Sequence, residues 1–361
     1  MIPIYKPWTC NYKCAKEALE SGWISSQGSY IKEAEFALTK YNNWKNFILM
    51  NNGTTATHAI FLALKEFHPE VTTIYVPNNV YVAVWNCALM VYPKSALKVM
   101  PITDDLCIPT DDDFLNSLDV NSAIVIVHNV GNIIDIHKIK KTRPDIILIE
   151  DMCEGLFGKY ENGTYVGSDL NVLCSSVSFF ANKNITSGEG GGIATQNDDV
   201  AHFIRRIINQ GNTTQRYIHD ILAYNYRPTN IQAAILLDQL EHLDDILEHK
   251  RTIFEKYSKA FKDINNIYLP RTANNANWMF CLQIKNNESF IKVEQYCKEN
   301  GIDIRPFFYD IYTHKHLIDI KKLDNRINKI SNEVIIIPSY PELSNEEQKK
   351  IIDVIIKYTS N

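Results

Sequence analysis

Two stretches, DIILIEDMCEG (145–155) and VLCSSVSFFANKNITSGEGGGIAT (172–195), decide how this chain folds. Each opens as an apolar run of strand length and then turns polar. The first closes on Glu150 and Asp151, the second on a lone Lys183 followed by four glycines among residues 188–192. Short apolar runs bounded in this way read as strands buried on both faces. Within the two stretches the strands are placed at DIILI (145–149), VLCSSVSF (172–179) and GIAT (192–195). Working outward, TIYV (73–76), LKVM (97–100) and AIVIV (123–127) have the same character. Helical patterns lie between and beyond them, at 55–66, 80–91, 111–118, 134–142, 198–210 and 229–247. Strands alternating with helices predict βαβ units, an α/β fold and a mostly parallel sheet. Such sheets bind ligands beyond the carboxyl ends of their strands, so the residues that close the strands are where chemistry is expected.

After about residue 250 the pattern changes. A helix at 250–263, a strand near Met279–Ile284, a helix near 290–299 and a closing helix at 345–357 predict a smaller α/β domain. The expected division is a large domain over 1–249 and a small one over 250–361, since 361 residues exceed one simple core. A net charge of -5 and a pI near 6.1 speak against a nucleic-acid partner. No apolar run approaches the roughly 20 residues that span a bilayer, and the start, MIPIYKPWTCNYKC, lacks the apolar centre of a signal peptide. A cytoplasmic protein without a membrane partner is expected. The 8 cysteines form no CxxC pair and have no histidine cluster beside them. They read as free thiols rather than metal ligands, so no metal is expected.

Three segments carry candidate chemistry. Lys183 alone reads as a solvated loop residue; the alternative is an amine that attacks an aldehyde once its pKa is depressed. Asp151 reads as a cap of the following turn or as an acid placed beside a cofactor nitrogen. In NNGTTATHAIFLAL (51–64) a Gly-Thr-Thr turn opens an amphipathic helix. It is a plain N-cap or a phosphate cradle, because free N–H groups and the dipole at a helix start attract an anion. Together the three would supply a phosphate site, a ring-nitrogen acid and an aldehyde-binding lysine, the anchors that pyridoxal 5′-phosphate (PLP) requires.

At this point the chain resembles the DegT/DnrJ/EryC1/StrS sugar aminotransferases, PLP-dependent transferases of fold type I. The resemblance runs in order through WISSQGSYIKEAE (23–35), NNGTTATHAIFLAL (51–64), VPNNVYVAV (76–84), VHNVGNIIDI (127–136), IEDMCEGLFG (149–158), SVSFFANKNITSGEGGG (176–192), YNYRPTNIQAAI (224–235) and IRPFFY (304–309). ANKNITSGEGG and the closing IIIPSYPEL (335–343) are most similar to members that make GDP-perosamine and related 4-amino-4,6-dideoxyhexoses. The resemblance implies a seven-stranded type of sheet in the large domain. It implies Lys183 as the Schiff-base lysine and proton shuttle, with Asp151 on the pyridine nitrogen. Tyr81 would stack on the ring, and Gly53, Thr54, Thr55 and Ser178 would hold the phosphate. Glu154 would stand near the ring hydroxyl, where many members carry Gln. Asn225 would reach the partner subunit's phosphate, making a homodimer with composite sites. Val80 departs from the Thr usual in the family at the position just before Tyr81.

The implied reaction takes the amino group of L-glutamate, leaves the cofactor as pyridoxamine 5′-phosphate, and delivers nitrogen to C4 of a nucleotide-linked 4-keto-6-deoxyhexose. The product would be an amino sugar of perosamine or viosamine type for glycan biosynthesis. Arg227 and Arg305 are candidates for the nucleotide diphosphate, although Arg227 also reads as a structural residue. The alternatives are a PLP-dependent sugar dehydratase or epimerase, and a non-enzymatic regulator that keeps the fold.

Overall fold

The computed structural model describes residues 1–360 apart from 272, 273, 286, 288, 325–327 and 329. Its strands are β1 (Asn46–Met50), β2 (Thr73–Pro77), β3 (Leu97–Met100), β4 (Ser122–Val127), β5 (Ile147–Asp151), β6 (Val172–Ser178), β7 (Gly191–Thr195), β8 (Ile267–Tyr268), β9 (Phe280–Ile284), β10 (Arg305–Pro306), β11 (Lys321–Lys322) and β12 (Val334–Ile337). Its helices are α1 (Lys13–Ser21), α2 (Tyr30–Asn42), α3 (Gly53–Phe67), α4 (Ala83–Val91), α5 (Asp112–Asn116), α6 (Ile136–Thr142), α7 (Asp198–Ile207), α8 (Asn230–Leu240), α9 (Leu243–Phe261), α10 (Phe290–Glu299), α11 (Ile330–Glu333) and α12 (Asn345–Thr359).

The large sheet has the order β1-β7-β6-β5-β4-β2-β3-β11. Seven of its strands lie between residues 46 and 195, and the two-residue β11 adds an eighth beside β3. The pairs from β6 through β5, β4, β2 and β3 to β11 are parallel, while β7 runs antiparallel to both β6 and β1. Strands so apolar must be covered on both sides. Residues of α3, α4 and α7 pack on one face, and residues of α2, α6 and α8 on the other.

A four-stranded antiparallel sheet, β10-β12-β9-β8, forms a second core with α9, α10 and α12. The expected helices at 229–247 and 250–263 are corrected: the break falls at Glu241 and His242, and α9 starts at Leu243. The apolar residues account for this. Leu243 and Ile246 pack under the large sheet, whereas Ile253, Phe254, Tyr257 and Phe261 pack in the second core, so α9 is one helix shared by both. Among the described residues no helix is long and apolar enough to cross a membrane.

Candidate active site

Val127, Asp151 and Ser178 are the last residues of β4, β5 and β6, three adjacent parallel strands. All three line one cavity of about 460 Å³, which lies where the carboxyl ends of a parallel sheet place ligands. The expected strand 145–149 proves to be Ile147–Asp151, so both acids lie inside β5. Side chains alternate along a strand, and this separates Glu150 from Asp151.

Asp151 faces the cavity, and its Oδ1 accepts the Cys153 amide at 2.9 Å. Glu150 turns the other way into full burial. There it accepts hydrogen bonds from Ser175 Oγ at 2.8 Å, from the Gly167 amide at 3.1 Å and from the Tyr160 hydroxyl. His128 Nδ1 accepts the Ile134 amide, so its Nε2 carries the proton and donates to Glu150 Oε1 at 3.1 Å. Burial alone would raise the pKa of Glu150; the His128, Tyr160 and Ser175 hydrogen bonds outweigh it and hold the carboxyl below its ordinary range.

Lys183 lines the same cavity, with Nζ 3.9 Å from Glu154 Oε1 and 4.3 Å from the centre of the Trp278 ring. The buried Glu154 accepts the Val130 amide at 2.8 Å through its other oxygen. Burial pushes its pKa up to about 7, against the pull of Lys183 and of the Val130 amide. Two bonds hold the lysine loop to the segment before β9: Trp278 Nε1 donates to the Asn182 carbonyl at 2.9 Å, and Asn184 Nδ2 donates to the Ala276 carbonyl at 3.0 Å.

The start of α3 also lines the cavity. Asn52 caps it by accepting the Thr55 amide at 2.9 Å, and the amides of Gly53 and Thr54 come one turn too early for a partner within the helix. A Cβ on Gly53 would lie 2.6 Å from Ser178 Cβ, so only glycine lets the helix start approach β6 this closely. Gly191 does the same for β7, where a Cβ would meet the Asn52 carbonyl at 2.4 Å. That glycine thus serves the packing of a strand against the helix start. Gln232, in the QAA motif of α8, donates to the carbonyls of Asn51 and Glu189 at 3.0 Å each and ties the two loops together.

Other candidates stand as follows. Gly53, Thr54, Tyr81, Asp151, Glu154, Ser178 and Lys183 share the cavity. Thr55 does not line it; its hydroxyl lies 2.6 Å from Asn51 Oδ1, and Thr57 takes a place on the wall instead. Arg227 is bound to Ser26 Oγ at 3.2 Å and Asn209 Oδ1 at 2.7 Å, and Arg305 is paired with Asp303. Both lie outside the cavity of their own chain, as does the exposed Asn225. Tyr81 is 60% exposed and meets Phe308 edge-on at 6.2 Å.

Sequence reading missed Asn182, Trp278 and Phe308 on the cavity wall. Trp278 and Phe308 arrive from the far end of the chain. The Asn78–Asn79 pair brings Phe308 in, with Asn79 Nδ2 donating to the Phe308 carbonyl at 2.9 Å and Asn78 Nδ2 to Asp310 Oδ2 at 2.9 Å. Two consecutive asparagines closing a strand were the available signal.

Residues 11–356 match the DegT/DnrJ/EryC1/StrS aminotransferase family. The chain belongs to this family. It is 32% identical to a GDP-perosamine synthase of Vibrio cholerae over 99% of both chains. It is 30% identical to one of Escherichia coli O157:H7, over 100% of this chain and 99% of that one. Among solved structures it resembles Helicobacter pylori PseC, an aminotransferase involved in the biosynthesis of pseudoaminic acid, with a TM-score of 0.88 at 20% identity, covering 99% of this chain and 98% of that one. It also resembles an E coli GDP-4-keto-6-deoxy-D-mannose-3-dehydratase with bound hydrated PLP, with a TM-score of 0.87 at 20% identity, covering 98% and 99%. The protein is a PLP-dependent sugar aminotransferase of fold type I. The site fits that cofactor: a cradle that a Cβ at Gly53 would fill, a strand-end carboxylate and an enclosed amine share one cavity.

Proposed function

We propose that this enzyme moves the amino group of L-glutamate to the C4 keto group of a nucleotide-linked 4-keto-6-deoxyhexose, giving a 4-amino-4,6-dideoxy sugar of perosamine type. The observation that carries the reading is the placing of Lys183, Asp151 and Glu154 in one cavity with the Gly53–Ser178 cradle. The identity to two perosamine synthases supports the choice of substrate.

Bound there, the cofactor supplies an electron sink for breaking the C–H bond of the amino donor. The chain does the rest. The Gly53 and Thr54 amides and the Ser178 hydroxyl bind the phosphate at the helix start, where the dipole favours an anion. Asp151 holds a proton on the ring nitrogen by offering a negative charge to it. Lys183 would hold the cofactor through its aldehyde group, and its Nζ would serve as the base and acid that moves the proton of the amino donor. Glu154, kept protonated to near neutrality by burial, offers a hydrogen bond to the ring hydroxyl. Tyr81 and Val127, both on the cavity wall, would enclose the ring. Trp278 and Phe308 narrow the cavity against water.

Asn225, exposed and outside its own cavity, serves the second subunit's phosphate in a homodimer. Mixing Lys183→Ala with Asn225→Ala chains tests this. A two-fold heterodimer then holds one intact site, so activity recovers toward about half of wild type. No recovery despite subunit exchange places Asn225 elsewhere. Eight free cysteines suit the cytoplasm. The reaction itself is tested by offering GDP-, UDP- and dTDP-4-keto-6-deoxyhexoses with glutamate and identifying products by mass and NMR. An aminated sugar with 2-oxoglutarate is expected; a product that has lost oxygen without gaining nitrogen replaces this reading with dehydration.

A further inference from the structure

Lys250 is 4% exposed on α9, between the residues that pack under the large sheet and those that pack in the second core. A buried ammonium normally finds a carboxylate, because desolvation of an unpaired charge is costly. Among the described residues none lies within ion-pair distance of Lys250. Its Nζ instead donates to the carbonyl of Trp278 and lies 5.8 Å from the centre of the Phe254 ring. Burial pulls its pKa down to about 7, and the amine is a donor to that carbonyl in either protonation state. Methionine would fill a similar volume here without the desolvation cost, so packing alone does not explain an amine.

Trp278 is the residue that closes over Lys183. Its indole N–H is fixed to the Asn182 carbonyl at 2.9 Å and its ring lies 4.3 Å from Lys183 Nζ. Its backbone is held at the other end by Lys250. Lys183 and Lys250 also border the same small gap of about 20 Å³ against Trp278. The indole is therefore anchored at two points, one on the lysine loop and one on the helix shared by both cores.

We propose that Lys250 is a positioning residue: through the Trp278 carbonyl it holds the indole face against the Lys183 amine and so orients that amine for capture of the cofactor aldehyde. The inference rests on the reading of Lys183 given above. The experiment mixes cofactor-free protein with PLP and follows the growth of visible absorbance, with thermal melting as the check on fold. Lys250→Met and Trp278→Phe are each expected to slow capture about tenfold, because a loosened indole leaves the amine less well oriented toward the aldehyde. The double variant is expected to be no slower than the slower single one, because both act through one contact. Lys250→Arg, which keeps an N–H donor, should stay within about twofold of wild type. A wild-type rate in Lys250→Met overturns the proposal. So does a multiplied, roughly hundredfold loss in the double variant, or a tenfold loss in a folded Lys250→Arg. Lys183→Ala separates the two readings: covalent capture that survives in it removes the role of Lys183 itself, whereas capture lost in Lys183→Ala but unchanged in Lys250→Met removes only the role of Lys250.

Discussion

Glu150 and Asp151 are neighbours on β5 and face opposite sides of the same sheet. On one side Glu150 is enclosed by His128, Tyr160, Ser175 and the Gly167 amide. On the other side Asp151 lines the cavity together with Lys183 and Glu154. The first arrangement answers a carboxylate with internal donors, and its job is finished when the chain folds. The second holds one oxygen with the Cys153 amide and leaves the group on the cavity wall. Position in the sequence does not distinguish an acid enclosed by the fold from one that faces a cavity; the alternation of the strand does.

Four substitutions break or sharpen this contrast. Lys183→Ala has the largest expected effect: transamination is abolished while the melting temperature holds, and PLP binds only noncovalently. Turnover near wild type in that variant would overturn the proposed role of Lys183. Asp151→Asn is next, with kcat falling on the order of 10²–10³-fold, as for the loss of a charge aimed at the reacting system. Its melting curve should be unchanged, and an unchanged kcat would make Asp151 only a turn cap. Glu150→Gln should do the reverse. It places an NH₂ among donors and removes a buried charge they satisfy, costing roughly 3 kcal/mol of stability with kcat per folded molecule little changed. Urea unfolding and active-site titration read the two quantities separately.

A further effect is one of pH, measured on the cofactor-free protein. The folded state lowers the pKa of Glu150 below its ordinary value of 4.5, so its stabilisation is present above that pH and is lost as pH falls below it. Glu154 is shifted the opposite way, to about 7, so it costs stability progressively as pH rises from 4.5 through 7. Glu154→Gln mimics the protonated acid and should flatten the stability profile across that interval. A profile identical to wild type would show that Glu154 is ionised in the folded protein like an ordinary carboxylate.

Much of the large sheet was legible because its strands are short apolar runs that keep β-branched residues together, as in AIVIV and DIILI. β1 was not recognised: NFILM sits at the edge and gains its partner only from β7, far along the chain. Nor were α1 and α2, whose buried stripes are thin; α2 buries only Ala34, Glu35, Leu38 and Asn42. In the site, Lys183, Asp151 and the turn at Gly53 stood out because each closes or follows a strand, or opens a helix, with an unusual residue. Thr55 stands off the cavity wall with its hydroxyl on Asn51, because a hydroxyl at a helix start serves neighbouring backbone and side chains as readily as a ligand. Trp278 and Phe308 gave no local signal, since hydrogen bonds between parts of the chain distant in sequence put them on the wall.

The most direct test of the account is to reduce the PLP-loaded protein with borohydride, digest it and locate the pyridoxyl group by mass spectrometry. The account predicts the label on the peptide carrying Lys183, with none there in Lys183→Ala. A label on another lysine in the wild-type protein, or no covalent label despite bound cofactor, would contradict it.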